Sequence, residues 1–158
     1  MSEEFIRTRM LLGNEAMERL EKARVAVFGI GGVGGYTVEA LARAGIGQLD
    51  LFDHDTVSLS NINRQIYATH STVGRLKVEV AAERIRDINP ECIVRPMPVF
   101  YLPEEAASFD FGSYDYIVDA IDTVTAKLSL AEEAVKAGTP IISCMGTGNM
   151  LDASAFEV

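Results

Sequence analysis

The chain has 158 residues, enough for one domain with a substantial core and too few for two. Hydrophobic residues make up 48%, which argues against disorder. The formal charge of −9, from 23 Asp+Glu against 14 Lys+Arg, excludes a chain that attracts polyanions over its whole surface; a bound nucleotide must meet a local cluster of cations.

No apolar run approaches the roughly 20 residues of a membrane-spanning helix. The start, MSEEFIRTRM, lacks the apolar stretch of a secretion signal, so the expected location is cytoplasmic, with no membrane partner. Cys92 and Cys144 lie far apart, outside any C-x-x-C pair, with only His54 and His70 to join them. This argues against structural zinc, and both thiols are expected to be buried and inert.

In chain order, residues 15–22 read as a short charged helix, with Met17 and Leu20 as its apolar residues. Residues 24–28 (RVAVF) form a β-branched run that stops at glycine, as a buried parallel strand does. A helix over about 32–44 is expected to bury Val33, Thr37, Ala40, Leu41 and Ala44, with Gly45 and Gly47 ending it. Residues 48–52 are a second strand, closing at Asp53. The polar stretch 54–72 is long for a connection, and such loops in compact domains are usually functional.

An amphipathic helix over about 73–88 follows, with Val78, Ala81, Ile85 and Ile88 on one face and Asn89-Pro90 at its end. Residues 92–100 are a proline-interrupted third strand and 114–120 a fourth. A helix over 124–137 is expected to bury Leu128, Ala131 and Val135. Residues 141–144 form a fifth strand, and 153–158 begin another. The alternation predicts a doubly wound, Rossmann-like α/β fold, mostly parallel, with helices on both faces. Ligands bind such sheets beyond the C-terminal strand ends.

Three signals gather there. Gly29-Ile30-Gly31-Gly32-Val33-Gly34-Gly35 lies between a strand and a helix, where backbone N–H groups and the helix N-terminus meet phosphate. Asp53 ends the second strand, where a carboxylate meets ribose hydroxyls. Together these are compatible with NAD, FAD or ATP. Next, Asn61-Ile62-Asn63-Arg64 and Lys77 bring two cations and two amides to the long loop, more than a pyrophosphate needs and suited to a triphosphate. Last, Asp119 and Asp122 follow the fourth strand. Asp122 suits Mg²⁺, or caps the next helix, or both; Asp119 caps a turn or binds through water. Thr147 and Asn149, in a glycine-flanked turn, are candidates for substrate contact.

Gly29-Ile-Gly-Gly-Val-Gly, Asp53-x-Asp55-x-Val-Ser-x-Ser-Asn61-x-x-Arg64-Gln65, Val73-Gly74-x-x-Lys77, Ile88-Asn89-Pro90 and Asp119-x-x-Asp122 occur in this order. The combination resembles the ThiF/MoeB/ubiquitin-activating enzyme superfamily over nearly the whole chain. Arg7-Thr8-x-x-Leu-Leu-Gly13, Ala82-Glu83-Arg84-Ile85-x-x-Ile88-Asn89-Pro90-Glu91-Cys92 and Met145-Gly-Thr-Gly-Asn149 look closest to its tRNA threonylcarbamoyladenosine dehydratases.

The resemblance implies ATP-dependent adenylation of a carboxylate, cyclising threonylcarbamoyladenosine in tRNA. It implies that Gly29, Gly31, Gly32 and Gly34 line the phosphates and that Asp53 holds the ribose. Asn61, Arg64 and Lys77 would contact phosphates, with Asp55 and Gln65 beside them, and Asp122 would hold Mg²⁺. Arg7, with Arg9 nearby, matches an arginine that reaches the other subunit's ATP site, which implies a homodimer. tRNA is the implied partner, and a sulfur-transfer protein is allowed by the same analogy. Zinc C-x-x-C pairs and a thioester-forming cysteine are missing, which disfavours adenylation of a ubiquitin-like sulfur carrier. Met150 and Ala153 stand where dehydratases tend to have a basic residue and proline. The family continues beyond Val158, so the chain, one adenylation domain over 1–158, is expected to be a fragment. An NAD-dependent oxidoreductase and a non-catalytic nucleotide-binding scaffold are the other readings.

Overall fold

The computed structural model describes residues 3–146 and Asp152; the expected turn at Thr147 and Asn149, the departures at Met150 and Ala153 and the strand over 153–158 lie outside them. Two short helices, α1 (Ile6–Leu12) and α2 (Asn14–Lys22), precede a five-stranded parallel sheet. Its strands are β1 (Arg24–Phe28), β2 (Gln48–Phe52), β3 (Ile93–Met97), β4 (Tyr116–Asp119) and β5 (Ile141–Ser143), in spatial order β3-β2-β1-β4-β5. The chain begins at the centre, winds outward to β3, then crosses to β4. The crevice therefore opens between β1 and β4, the switch point of a doubly wound sheet.

Alternation along β1 feeds two cores. Val25 and Val27 pack with Val38, Leu51, Val78 and Ile85 under α3 (Gly34–Ala44) and α4 (Lys77–Ile88). Ala26 and Phe28 pack with Phe52, Ile117 and Leu130 under α5 (Val124–Ala137). Register aligns the strand ends: Phe28 pairs with Phe52 and with Asp119, and Asp119 with Ser143. Gly29, Asp53, Ala120 and Cys144 therefore leave the sheet side by side.

Three expectations change. The buried face of α3 is Gly34, Gly35, Val38, Glu39 and Ala42, while Val33 and Ala40 are exposed. Gly34 sits against the β1 turn, which rotates the helix by about one residue, roughly 100°. Burial of Glu39 is offset by a two-contact pairing with Arg84 at 2.9 and 3.0 Å and by Arg43. In α5, Leu128 and Val135 are 61% and 77% exposed, and the inward face is Ala126, Lys127, Leu130 and Ala134. A buried lysine between small alanines defeats a pattern read from apolar side chains alone. Finally, α4 starts at Lys77 rather than at 73, because Gly74 takes φ +87° and Leu76 bridges Thr56.

Candidate nucleotide site

A cavity of about 610 Å³ opens over the strand ends. Its floor is the glycine turn. Gly29 has φ +89°, and a Cβ there would stand 2.6 Å from the Ala120 carbonyl oxygen; its N–H donates to Phe52 O at 2.8 Å. A Cβ on Gly34 would overlap the Gly29 carbonyl. Gly34 therefore serves close packing of α3 on β1 and does not line the cavity, contrary to the expectation for it. Gly31 and Gly32 do line it, and a Cβ at either would meet neighbours only at 3.6 Å or beyond. Packing does not require glycine at these two positions; glycine there leaves the backbone open to the cavity.

Asp53, Asp55, Arg64, Gln65, Lys77 and Asp122 all face this cavity. Asp53 is fixed from both sides: Oδ2 accepts the Ile30 N–H at 2.7 Å and Oδ1 the Asp55 N–H at 2.8 Å. Lys77, at the first position of α4, donates to Asp55 Oδ2 at 2.6 Å and lies 4.0 Å from Asp53 Oδ2. The ammonium, through its hydrogen bond first and its charge second, holds the Asp55 carboxyl below the ordinary carboxylate range against the opposing effect of burial. Arg64 is exposed and donates through Nη1 only to neutral acceptors, Ser60 O at 2.9 Å and Asn63 Oδ1 at 3.0 Å. Its charge meets no carboxylate among the described residues.

Two expected ligands stand elsewhere. Asn61 is buried, its Oδ1 accepting the Ser58 N–H at 3.0 Å in a capping box that shapes the long loop, and it does not line the cavity. Arg7 is exposed on α1, away from the cavity wall. Its neighbour Arg9 is engaged within the chain, with Glu21 at 3.2 Å and Asn14 at 3.3 Å.

The two aspartates after β4 separate cleanly. Asp119 is fully buried; its Oδ2 accepts from Lys127 Nζ at 3.0 Å and Ser143 Oγ at 2.7 Å, and its Oδ1 from the Ile121 N–H at 3.1 Å. It caps the turn. Asp122 is exposed on the cavity, and the α5 N-cap is Thr123, with no side-chain capping bond. A carboxylate with no hydrogen-bond or ion-pair partner among the described residues could hold Mg²⁺, which takes one or two carboxylates and completes its shell with water and phosphate oxygens. Asp53, His54 and Asp55 also bring ligand atoms within 4.8 Å of one another, but Asp53 is bonded to backbone and Asp55 to Lys77.

Several wall residues escaped the sequence reading. Phe28, Phe52, Phe100 and Tyr101 give one side an aromatic lining, and His54 packs edge-on against Phe100 at 4.7 Å between centroids. The available signal was position: Phe28 and Phe52 end their strands, and Phe100-Tyr101 follows β3. Cys144, expected to be buried, is only half-buried and lines the cavity, because it lies one residue past the end of β5. Cys92 is buried, and burial pushes its thiol up to about 11.

Among the described residues no helix is long and apolar enough to cross a membrane. Comparison with known proteins matches residues 5–156 to the ThiF family. The tRNA threonylcarbamoyladenosine dehydratase of Bacillus subtilis is 44% identical over 159 aligned positions, spanning 100% of this chain and 62% of that protein. The Haemophilus influenzae protein of the same name is 42% identical over 144 positions, 91% of this chain and 55% of its own length. The crystal structure of Escherichia coli tRNA N6-threonylcarbamoyladenosine dehydratase in complex with ATP superposes with a TM-score of 0.92 at 42% identity, over 96% of this chain and 62% of that one. The chain thus spans about 60% of the length of these relatives. A five-stranded parallel sheet with a glycine turn at its switch point, and a match over nearly every residue, make this chain a member of the ThiF family.

Proposed function

We infer that this chain is the nucleotide-binding and adenylating part of an enzyme that uses ATP to activate a carboxylate, the substrate being threonylcarbamoyladenosine in tRNA. The observation that carries this reading is that Arg64, Lys77 and Asp122 line one cavity together with Gly31 and Gly32. The names of the relatives support the choice of substrate. A pyrophosphate-linked dinucleotide is met by backbone N–H groups; two further cations suit an anion attacking a polyphosphate.

In the proposed reaction a carboxylate oxygen bonds to the α-phosphorus, the bond from that phosphorus to the bridging oxygen breaks, and pyrophosphate leaves with the electron pair. A nitrogen already in the substrate then attacks the acyl carbon, closes a ring and expels AMP. Both partners of the first step are anions, so the barrier is chiefly electrostatic. Arg64, which pairs with no carboxylate among the described residues, donates charge-assisted hydrogen bonds to phosphate oxygens. Lys77 adds a second cation, Gly31 and Gly32 leave the backbone donors open, and Asp53 orients the ribose. Mg²⁺, held by Asp122, supplies charge neutralisation on the phosphates when bound. No side-chain nucleophile is needed, so Cys144 has no part in the step. A second copy of the chain supplies Arg7, and the location is the cytoplasm.

ATP–pyrophosphate exchange and AMP release by the full-length protein with threonylcarbamoyladenosine-containing tRNA test this reading. Arg64→Ala is expected to lower the rate about 10²–10³-fold, as loss of one preorganised donor does. Full activity in that variant, or no exchange with any carboxylate, would refute it.

A further inference from the structure

Lys77 lines the cavity, yet its side chain is only 8% exposed while that of its partner Asp55 is 50% exposed. The ammonium is thus shielded from solvent, and the carboxylate that pairs with it at 2.6 Å is half open to it. The two backbones are pinned to one another: the Lys77 N–H donates to Asp55 O at 3.0 Å, the Val57 N–H donates to Arg75 O at 2.8 Å, and Thr56 bridges Leu76. Asp53 is pinned as well, with both carboxylate oxygens engaged by backbone N–H groups. The Asp55 side chain has more freedom. Besides Lys77, two chargeable groups face it among the described residues: His54, whose Nε2 lies 3.4 Å from Oδ1 on an exposed ring, and the Asp53 carboxylate within 4.8 Å. The cavity also carries three carboxylates, Asp53, Asp55 and Asp122, against two cations, Arg64 and Lys77. These side chains alone thus carry a formal charge of −1, three carboxylates against two cations, so each carboxylate that pairs with a cation competes with phosphate for it.

Resting on the reading of this cavity as an ATP site, we propose that Asp55 is a positioning residue that holds Lys77 in reserve: arriving phosphate takes the ammonium from the Asp55 carboxylate, which rotates towards His54 and solvent. The ion pair is thus a competitor of the polyphosphate for one cation. It keeps the Lys77 side chain in place without substrate, and it lowers the affinity for ligands too weakly charged to displace it. Nucleoside triphosphate with Mg²⁺ meets that demand and AMP meets it poorly, so the device favours release of AMP after turnover.

Calorimetry on the full-length protein with ATP·Mg²⁺ and with AMP tests this. Asp55→Asn keeps the side-chain shape and removes the competing charge; it is expected to tighten ATP binding by about five- to ten-fold, as coupled contacting groups do. Loss of a carboxylate from an anion site would tighten binding without Lys77, so the same change is made in a Lys77→Met background. There the gain is expected to fall below about two-fold, because only the paired ammonium transmits it. Asp55→Glu, which restores the charge, should return wild-type affinity. Thermal unfolding of each variant identifies any fold defect, and Asp55→Ser serves in place of a variant that fails to fold. Weaker or unchanged ATP binding in Asp55→Asn would overturn the proposal, as would an equal gain in both backgrounds. Absence of ATP binding by the wild-type protein would instead sink the ATP-site reading on which it rests.

Discussion

Lys127 Nζ lies 3.0 Å from Asp119 Oδ2 beneath the floor of the cavity, both side chains nearly sealed from solvent at 8% and 0% exposure. Lys127 also donates to Cys144 O at 2.7 Å. The pair thus ties α5 to the ends of β4 and β5 and fixes the turn that carries Asp122. Breaking a buried pair by removing one partner leaves an uncompensated charge, so Lys127→Met is expected to destabilise the fold by about 3–5 kcal/mol. Adding Asp119→Asn to it should recover a large part of that loss. Urea unfolding of the two single variants and the double variant measures both effects; additive losses would show that the pair does not act as a unit.

The glycine turn divides by role. Gly34→Ala drives a methyl group into the Gly29 carbonyl, and overpacking of this kind should cost about 2 kcal/mol or more, beyond any gain in helix propensity. Gly32→Ala meets only ordinary contacts and should fold within roughly 0.5–1 kcal/mol of wild type, yet lose about ten-fold or more in ATP affinity by shielding backbone donors. Thermal unfolding and nucleotide titration of both variants check the contrast, which fails if Gly34→Ala is as stable as Gly32→Ala.

Much of this division was legible in the residues. The strand β1, the strand β2 and the helix α5 begin and end where β-branched runs, Asp53 and Gly138 place them, because each is bounded by strong local chemistry. Gly31, Gly32, Asp53, Arg64, Lys77 and Asp122 do converge on one cavity. The two helix faces were misread for a shared reason. Lys127 and Glu39 are buried because charged partners, Asp119 for one and Arg84 of α4 for the other with Arg43 one turn along α3, neutralise them, and a hydrophobic period carries no record of such partners. Asn61 and Gly34 belong to the motif that marks the site yet shape the backbone around it. A motif registers which residues matter, not whether each touches ligand or holds a loop. The aromatic wall is harder to read because Phe28 and Phe52, although they end their strands, are also buried core residues of the same aromatic cluster.

Glu39 predicts the acid limb of stability. Its hydrogen bond with Arg84 is the largest influence holding the carboxyl below its ordinary value of 4.5, with Arg43 assisting against burial. A group depressed on folding stabilises the native state at pH above that ordinary value, and the contribution drains away as pH falls below 4.5 through the lower native value. Glu39→Gln should therefore be less stable than wild type at neutral pH, and the gap should close under acid. Chemical denaturation from pH 7 to about 3 follows it. A gap that stays constant with pH would show that the charge of Glu39 is not what clamps α3 to α4.

Asp122 carries the metal assignment. Asp122→Asn preserves shape and is expected to raise the Mg²⁺ concentration for half-maximal activity and to lower the rate about 10²-fold, in line with loss of one preorganised electrostatic group. ATP binding without Mg²⁺ should be unchanged or tighter, since a negative charge leaves the cavity. A uniform loss of ATP affinity with and without Mg²⁺ would assign Asp122 to the fold instead.

The most direct measurement is a crystal structure of the protein with Mg²⁺ and a non-hydrolysable ATP analogue. Phosphates are expected to sit over Gly31 and Gly32, with Arg64 and Lys77 both within hydrogen-bond distance of phosphate oxygens and Asp122 beside the metal. A nucleotide bound with either cation turned away from its phosphates, or bound outside this cavity, would contradict it.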